Sequence, residues 1–365
     1  MKQFVHGREL SREFYKQIIA PILSQKCKNL KYTACLLGYG SDILGYDDVV
    51  STDHMWGPRL YLFVQQKHLI HKDYILDILS KLLPNKFMGY SVNFSKPDPN
   101  DNGIRQMEEI TEGTVSPLIF INSIEGYMKG YLGTSDFDNL TELDWLSFSE
   151  HKLLSLTKAD IYEDQLGLME TISKINFYPD SVKKYLLASN WSLIAEEQAF
   201  VKRNMSLKEK TGSIIIASRM AERLMRLCFL YNNTYAPYSK WFSKAFNSLA
   251  VPDDLKKQLE LTLTAKSYED RENALVNALV YVAEIHNASN ITDPIEPTVT
   301  NYFERDIKVI FANRYASAIK ETYRDSLLYN SPLIGSMSEV SNFTNLFDNP
   351  LYREQIKTLY SPINN

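Results

Sequence analysis

The stretch between Gly38 and Asp53 contains the residue types that phosphate chemistry uses. An apolar run ends at Gly40-Ser41, and Asp53 follows after eleven intervening residues. Backbone N–H groups in a Gly-Ser turn before a helix can cradle phosphate oxygens. Carboxylates a short way downstream can hold the Mg²⁺ that bridges those oxygens. We therefore expect Gly40 and Ser41 to bind the phosphates of ATP or another nucleoside triphosphate.

Three carboxylates of this stretch, Asp47, Asp48 and Asp53, are the candidate Mg²⁺ ligands and catalytic residues. Nucleotide transfer also requires an activated hydroxyl, which a second metal roughly 3.5–4 Å from the first would supply. Two carboxylates on one strand face suit this task, because alternate residues of a strand share a face. We expect Asp53 to hold the metal together with Asp47 or Asp48.

Arginines farther along the chain are candidate phosphate ligands. Arg219, Arg223 and Arg226 are spaced by four and three residues, which places them on one side of a helix. They could neutralise the charge of a triphosphate. They could equally form an internal ion-pair network, in which Glu222 pairs with Arg226 at i,i+4. The sequence leaves both alternatives open.

Three further residues are candidate substrate ligands. Arg59 follows an indole closely, and a guanidinium beside an indole could hold a phosphate and a base. Tyr238 and Lys240 combine an aromatic face with a cation, which suits a nucleobase and a phosphate. A packed helix junction after Pro237 is the competing interpretation for Tyr238 and Lys240.

Apolar periodicity predicts a small mixed sheet with helices in the first part of the chain. Phe14, Ile18 and Ile22 recur at helical spacing, which predicts a helix over residues 11–23 that packs against the sheet. A second helix is expected over residues 74–83. Strands are expected at four places, residues 32–37, 59–64, 87–94 and 117–121.

The second part of the chain is predicted to be helical. Strand signals fade from about Leu143, and residues 213–230 are apolar nearly all round, which is typical of a central buried helix. A chain of 365 residues also exceeds what one hydrophobic core usually serves. We predict an α+β protein with a mixed-sheet domain over residues 1–145 and an all-helical domain over residues 146–365.

Composition excludes several classes of protein. The formal net charge of −4 offers no global field for a polyanion, and nucleic-acid-binding motifs are absent from the sequence. Three cysteines without a CxxC pair predict neither a disulfide framework nor a zinc site and fit a reducing cytoplasm. The sequence has no run of eighteen apolar residues, so a membrane span is not expected.

The spacing of Gly40-Ser41 and Asp53 after an apolar strand resembles the signature of the nucleotidyltransferase superfamily. The string from Gly40 to Arg59 is similar to the bacterial domain-of-unknown-function 4037 family, which is classed within that superfamily. This resemblance implies a nucleotidyltransferase-like fold that binds Mg²⁺ and a nucleoside triphosphate. It covers most of residues 1–290, with later matching segments at 89–94, 144–146, 199–203, 235–241 and 286–287.

The resemblance is incomplete at the metal site. Active members of the superfamily have a second acid two residues after the first, where this chain has Met55. A third acid normally comes from a neighbouring strand, where this chain offers the amides Asn93 and Asn122. Two hypotheses follow. The chain is a magnesium-dependent nucleotidyltransferase with a small molecule or a protein hydroxyl as acceptor, or it is a catalytically inactive nucleotide- or partner-binding module with the same fold.

Overall fold

The computed structural model describes residues 4–101 and 103–362. The strands are β1 (Tyr32–Leu36), β2 (Arg59–Val64), β3 (Lys86–Phe87), β4 (Tyr90–Ser91), β5 (Leu118–Asn122), β6 (Asp160–Asp164), β7 (Thr300–Tyr302) and β8 (Arg305–Val309). The α-helices are α1 (Gly7–Phe14), α2 (Ala20–Lys26), α3 (Lys72–Leu82), α4 (Ile124–Leu132), α5 (Glu142–Ser147), α6 (Glu150–Thr157), α7 (Leu168–Ser173), α8 (Asp180–Glu197), α9 (Phe200–Ser206), α10 (Lys210–Tyr231), α11 (Ser239–Asn247), α12 (Asp253–Thr264), α13 (Tyr268–Ala288), α14 (Asn313–Glu321), α15 (Met337–Val340), α16 (Thr344–Phe347) and α17 (Arg353–Lys357). A π-helical turn joins α1 to α2, and short 3₁₀ helices include Val49–Asp53 and Gln66–His71.

The chain forms two compact units. The first, the sheet unit, comprises the residues up to Asp138 together with Lys152–Asn176. The second, the helical unit, comprises Asn139–His151 and the residues from Phe177 onward. The α+β class predicted from the sequence is confirmed, with a mixed sheet in the first unit and helices in the second. The prediction that residues 146–365 are all-helical is corrected, because this range contains β6 and the antiparallel hairpin β7–β8. The division into separate domains at residue 145 stays a prediction. In the structure, Lys152–Asn176 belong to the sheet unit.

The main sheet has the strand order β5-β2-β1-β6 and is mixed, as predicted. β1 is antiparallel to both β2 and β6, and β2 is parallel to β5. The predictions of strands at 32–37, 59–64 and 117–121 and of helices at 11–23 and 74–83 are confirmed.

The two faces of the sheet differ in composition because side chains alternate along each strand. One face is aliphatic and packs against α1, α2 and α3 in a core that includes Leu10, Phe14, Leu23, Leu60, Leu62, Val64, Ile75, Leu79, Ile119 and Ile121. The alternate residues of β2, which are Arg59, Tyr61 and Phe63, lie on the other face and are also buried. This second face is aromatic and carries a charge, which an ordinary apolar core does not require.

The predicted strand at 87–94 is corrected to a hairpin. β3 and β4 contribute two residues each, and Met88 and Gly89 connect them with φ angles of 46° and 79°. Two consecutive residues with positive φ form the tight turn that suits the twist of antiparallel strands. Gly89 therefore reverses the chain, and an extended strand across it is not formed.

Strand β6 was not predicted from the sequence. Its residues, Asp160–Asp164, alternate in no clear apolar pattern, and all five are half-buried. Polar contacts fix it instead, since Arg12 donates to Asp160 at 2.9 Å and Thr33 donates to Asp164 at 2.8 Å. β6 thus joins the sheet edge through its acidic side chains.

The helical unit is built around α10, which packs against α8, α9, α12 and α13. The prediction of a helix over residues 213–230 is confirmed, and its second half is mostly buried, whereas Ile215, Ser218 and Arg219 in its first half are exposed. Within the described residues, the helices are too short or too polar to cross a membrane.

Asp164 offers a test of how β6 is held. Its carboxylate accepts hydrogen bonds from Thr33 and from the N–H groups of Gly167, Leu168 and Met169. Burial opposes its ionisation, but these hydrogen bonds prevail and lower its pKa. We expect Asp164→Ala to lower the free energy of unfolding by about 2–3 kcal/mol, because it removes a cap and strands a buried hydroxyl.

The loss should depend on pH. A lowered pKa in the folded state gives a stabilisation that is complete above the unfolded carboxyl pKa of about 3.9 and disappears as the pH falls through the folded value. Urea unfolding between neutral and acidic pH measures this. Glu163→Ala is the control on the same strand and should change stability by less than about 0.5 kcal/mol. Equal losses in both variants would contradict the assignment.

Candidate functional site

The turn after β1 requires glycine at two positions. Gly38 and Gly40 have φ angles of 86° and 113°, which residues with a side chain rarely adopt. A β-carbon on Gly40 would lie 2.2 Å from Asp42 Oδ1 and 2.6 Å from Arg59 Nη2. Ser41 is half-buried, and its carbonyl accepts from Tyr46 N at 2.9 Å. The predicted glycine turn is present, and the side chains of Asp42 and Arg59 pack against Gly40.

A buried ion pair lies against this turn. Arg59 Nη2 donates to Asp42 Oδ1 at 2.8 Å and to the carbonyl of Tyr39 at 2.7 Å, and both charged side chains are 1% exposed. Burial lowers the pKa of Arg59, but the carboxylate of Asp42 raises it by more. The pKa is therefore above its usual value, and the guanidinium stays charged. Arg59 was predicted to bind substrate. Instead, its guanidinium is buried and holds the turn.

Asp47 is also engaged in structure. Its two oxygens accept from Gly7 N at 2.7 Å, from Trp56 Nε1 at 3.0 Å and from His6 Nδ1 at 3.2 Å. The residue is buried at the start of α1, where a carboxylate is favourable because the first N–H groups of a helix lack intrahelical partners. Asp47 therefore anchors the stretch to α1.

Asp48 and Asp53 bracket a short 3₁₀ helix. Asp48 caps this helix by accepting from Val50 N and Ser51 N at 2.9 and 3.1 Å. Asp53 ends it, with a side chain that is 62% exposed and that lies 2.9 Å from His54 Nδ1. The expectation that Asp53 lies on a strand is wrong, because β2 begins at Arg59.

Met55 is not at the position of a second acid. Its φ angle is 48°, and its N–H and sulfur pair with the carbonyl and the N–H of Arg105, at 3.1 and 3.3 Å. Strand alternation does not apply to a residue in the left-handed region. Met55 links the stretch to the loop that carries Arg105.

The predicted magnesium ligands do not fit a dedicated metal centre. Over residues 4–101 and 103–362, no three His, Cys, Asp or Glu side chains are grouped so that they could hold a metal ion. Asp47 has both oxygens in hydrogen bonds, and Asp48 caps a helix. Mg²⁺ at Asp47, Asp48 and Asp53 therefore remains a proposal rather than a feature of the geometry.

A cavity of about 690 Å³ borders the aromatic face of the sheet. Tyr61 stacks on Phe120 with ring centroids 4.8 Å apart, and Tyr127 meets Tyr61 edge-on at 5.0 Å. All three rings line the cavity. Tyr39 of the glycine turn contacts Phe120 edge-on at 6.1 Å. The glycine turn thus reaches the aromatic wall through the contact between Tyr39 and Phe120, although its residues 38–42 do not line the cavity.

Arg105 lines the same cavity and has an unusual set of partners. Its guanidinium donates to the carbonyls of Ser95, Pro117, Phe94 and Ser116 and to the hydroxyl of Ser116, at 2.7–3.2 Å. Within the described residues, these acceptors are all uncharged. Burial lowers the pKa of Arg105, which a carboxylate partner would oppose. The cavity wall therefore contains a half-buried cation whose described hydrogen-bond acceptors are all uncharged, and Lys72, Asp73 and Asp77 line the same cavity.

Sequence reasoning missed Arg105, Tyr61 and Tyr127. Tyr61 belongs to a predicted strand, so alternation with Arg59 could have assigned it to the same face. Arg105 follows a loop rich in Pro and Asp, and no periodicity indicates where such a side chain points. Its role becomes visible only in the fold.

The candidate ligands in the helical unit are dispersed. Arg219 pairs with Glu197, and Arg223 donates to the carbonyl of Glu339 at 3.3 Å. Each of these arginines has its own partner within the described residues, and their use for a triphosphate stays a prediction. Lys240 lies over the ring of Trp241 at 5.0 Å. Tyr238 lines a cavity, as does Arg226.

These features define the class of the protein, an α+β protein with a mixed sheet followed by a helical unit. Residues 145–242 match the model of a family described as "Domain of unknown function (DUF4037)", which confirms the predicted resemblance over that segment. The glycine turn lies outside the matched residues. A crystal structure of a nucleotidyltransferase-like protein from Exiguobacterium sibiricum 255-15 aligns with 8% identity and a TM-score of 0.29, covering 84% of this chain and 89% of that one. No curated protein matches the sequence.

The ion pair under the turn can be tested by a double-mutant cycle. We expect Asp42→Asn and Arg59→Met each to lower the free energy of unfolding by about 3–5 kcal/mol, because each leaves a buried charge without its partner. The double variant should lose less than the sum. Denaturant unfolding measures all three.

An exposed pair on α3 provides the control for this cycle. Lys81 and Asp77 are 2.7 Å apart and more than half exposed, so Lys81→Met and Asp77→Asn should each cost no more than about 0.5 kcal/mol. Additive losses at Asp42 and Arg59 would show that the two side chains do not stabilise each other.

Proposed function

We propose that the sheet unit binds a nucleotide in the cavity beside the glycine turn, and that the chain acts as a nucleotide-binding module with a nucleotidyltransferase-like fold. The observation that carries this proposal is Arg105, a half-buried cation whose described partners are all uncharged. A cation in this setting favours an anionic ligand, because an anion restores the charge balance that burial disturbs.

The donor geometry of Arg105 suits a phosphate. A guanidinium has five N–H groups in a fixed fork. Here Nη1 makes a single hydrogen bond, to the carbonyl of Pro117 at 3.2 Å, so one of its two hydrogens is available to a ligand in the cavity. The remaining contacts hold the side chain in place. A preorganised donor of this kind binds a phosphate oxygen without first losing conformational entropy.

The aromatic wall suits a nucleobase. Tyr61, Phe120 and Tyr127 line the cavity, where Tyr61 stacks on Phe120 and meets Tyr127 edge-on. Stacking of a base on an aromatic ring is worth about 1–3 kcal/mol and tolerates any base. The volume of about 690 Å³ is within the range of small-molecule sites. We place the base against this wall and the phosphates toward Arg105.

The turn supports this arrangement without a dedicated metal centre. Asp42 is neutralised by Arg59, and Asp47 is hydrogen-bonded on both oxygens, so neither offers a free carboxylate to the cavity. This is why the binding module is preferred to the transferase. The acids that a metal-dependent reaction would use serve to hold the turn.

A magnesium-dependent nucleotidyltransferase is the second candidate. The observation in its favour is Asp53, whose side chain is 62% exposed and which lies two residues from Met55, the partner of Arg105. The acceptor in that case is a small molecule or a protein hydroxyl.

Thermal shift and pyrophosphate release distinguish the two candidates. We expect ATP to raise the melting temperature more than adenosine does, to do so with or without Mg²⁺, and to yield no pyrophosphate. Pyrophosphate that appears only with Mg²⁺ and is abolished by Asp53→Asn would establish the transferase instead. No stabilisation by ATP in either condition would overturn both.

Arg105 variants test the site itself. We expect Arg105→Gln to weaken ATP binding by about tenfold or more, with little effect on adenosine, because it removes a charged hydrogen bond to phosphate. Arg105→Lys keeps the charge and should retain part of the preference for ATP. Calorimetric titration gives both affinities.

Lys96→Gln is the matched control, since it removes an exposed cation from the neighbouring loop without touching the cavity. It should leave both affinities unchanged. If Arg105→Gln weakened ATP and adenosine equally, Arg105 would be a structural residue, and the proposed phosphate position would be wrong.

A further inference from the structure

A second cavity lies entirely within the helical unit and has no part in nucleotide binding as proposed above. Its volume is about 310 Å³, at the small end of the range for ligand sites. Its wall is formed by α10, α11, the start of α6 and the start of α15. Two buried charges, Glu150 and Arg226, are part of the lining.

The charges around this cavity do not balance. Arg226 pairs with Glu150 and with Glu222, each at 3.1 Å, and donates to the carbonyl of Ser338. The carboxylate of Glu339 acts on the same guanidinium and helps to raise its pKa against the effect of burial. Three carboxylates therefore surround one buried arginine.

When Glu150 is ionised, the three carboxylates exceed Arg226 and the nearby Arg223 by one negative charge. Arg223 donates to the backbone carbonyl of Glu339, and the carboxylate of Glu339 accepts from the uncharged donors Asn190 Nδ2 and Ser336 N, at 2.8 and 3.0 Å. Burial raises the pKa of Glu150 to about 7, and Glu339 adds to this effect while Arg226 opposes it. Placing a further positive charge here would relieve the excess.

The rest of the lining suits an organic cation. Tyr238, Phe242 and Phe347 provide aromatic surface, and Phe242 already lies under the guanidinium of Arg226 at 5.2 Å. Aromatic faces attract cations through the ring quadrupole. Small polar groups complete the lining and can accept from an ammonium group, namely Ser218, Ser239, Ser243 and Asn342.

We propose that this cavity binds a small organic cation, a primary amine with an apolar body, whose ammonium group lies between Glu222 and Glu150 and whose body packs on Phe242. Glu222 is the accessible carboxylate, with a side chain 37% exposed, whereas Glu150 is 7% exposed. An anion is disfavoured because it would add to the excess negative charge. A neutral ligand would gain the aromatic contact alone.

Three probes that share a phenyl group and are positively charged, neutral or negatively charged test the proposal. Phenethylamine, 2-phenylethanol and 3-phenylpropionate are titrated into the full chain, and binding is followed by calorimetry or by NMR shifts. We expect the amine to bind at least about tenfold more tightly than the alcohol, with the carboxylate weakest, as for one charge-assisted hydrogen bond. Equal binding of the three, or no binding of the amine up to about 10 mM, overturns the proposal.

Glutamine variants locate the amine. Glu222→Gln keeps the shape and an acceptor for Arg226, and should reduce the preference for the amine over the alcohol to less than about threefold. Glu150→Gln should act in the same direction. Glu209→Gln, an exposed acid just before α10, is the control and should leave the preference unchanged.

The test does not depend on Glu150→Gln being folded, because the partly exposed Glu222 gives an independent result. An unchanged preference in Glu222→Gln would place the amine elsewhere and contradict the proposal. The outcome is also separate from nucleotide binding, since ATP binding is measured on Arg105 variants of the sheet unit.

Discussion

The ion pair between Asp42 and Arg59 is the constraint on which the sheet unit depends. Two charges that are 1% exposed are stable only if they neutralise each other. Arg59 meets this requirement through Asp42 and also donates to the carbonyl of Tyr39, which fixes the turn above the sheet, whereas its Nη1 atom has no hydrogen-bond partner among the described residues. Gly40 must then be glycine, because a β-carbon would collide with the pair. Strand, turn and aromatic wall are thus positioned by one interaction.

The same constraint changes how the acidic residues of the stretch are interpreted. A carboxylate that neutralises a buried arginine, as Asp42 does, is not available to a ligand. Both oxygens of Asp47 also have partners, because they accept hydrogen bonds from Gly7, Trp56 and His6. Residue types and spacing that suggest metal chemistry in the sequence therefore serve folding in the structure. Arg105 is a charged side chain of the same unit whose described hydrogen-bond acceptors are all uncharged.

Strands and helices with a clear apolar pattern could be predicted from the sequence. Residues that are positioned by individual polar contacts could not. β2 was predicted from a short run of strand-forming residues, and α10 was predicted from a long stretch that is apolar nearly all round. Asp53 was misplaced because its 3₁₀ helix depends on a cap from Asp48, a local contact that overrides the strand pattern. β6 was missed because polar contacts hold it. Arg105 was missed because its position depends on carbonyls of residues 94, 95, 116 and 117, which only the fold brings together.

Charge balance, applied to each unit by itself, leads to opposite ligands. In the sheet unit a guanidinium is bonded to uncharged oxygens, so a ligand there is favoured if it is an anion. In the helical unit Glu150, Glu222 and Glu339 outnumber Arg223 and Arg226, so a ligand there is favoured if it is a cation. Each cavity also has aromatic surface, which contributes to affinity without discriminating charge. In the two proposals, the sign of the charge in the cavity lining, rather than cavity size, selects the ligand of each unit.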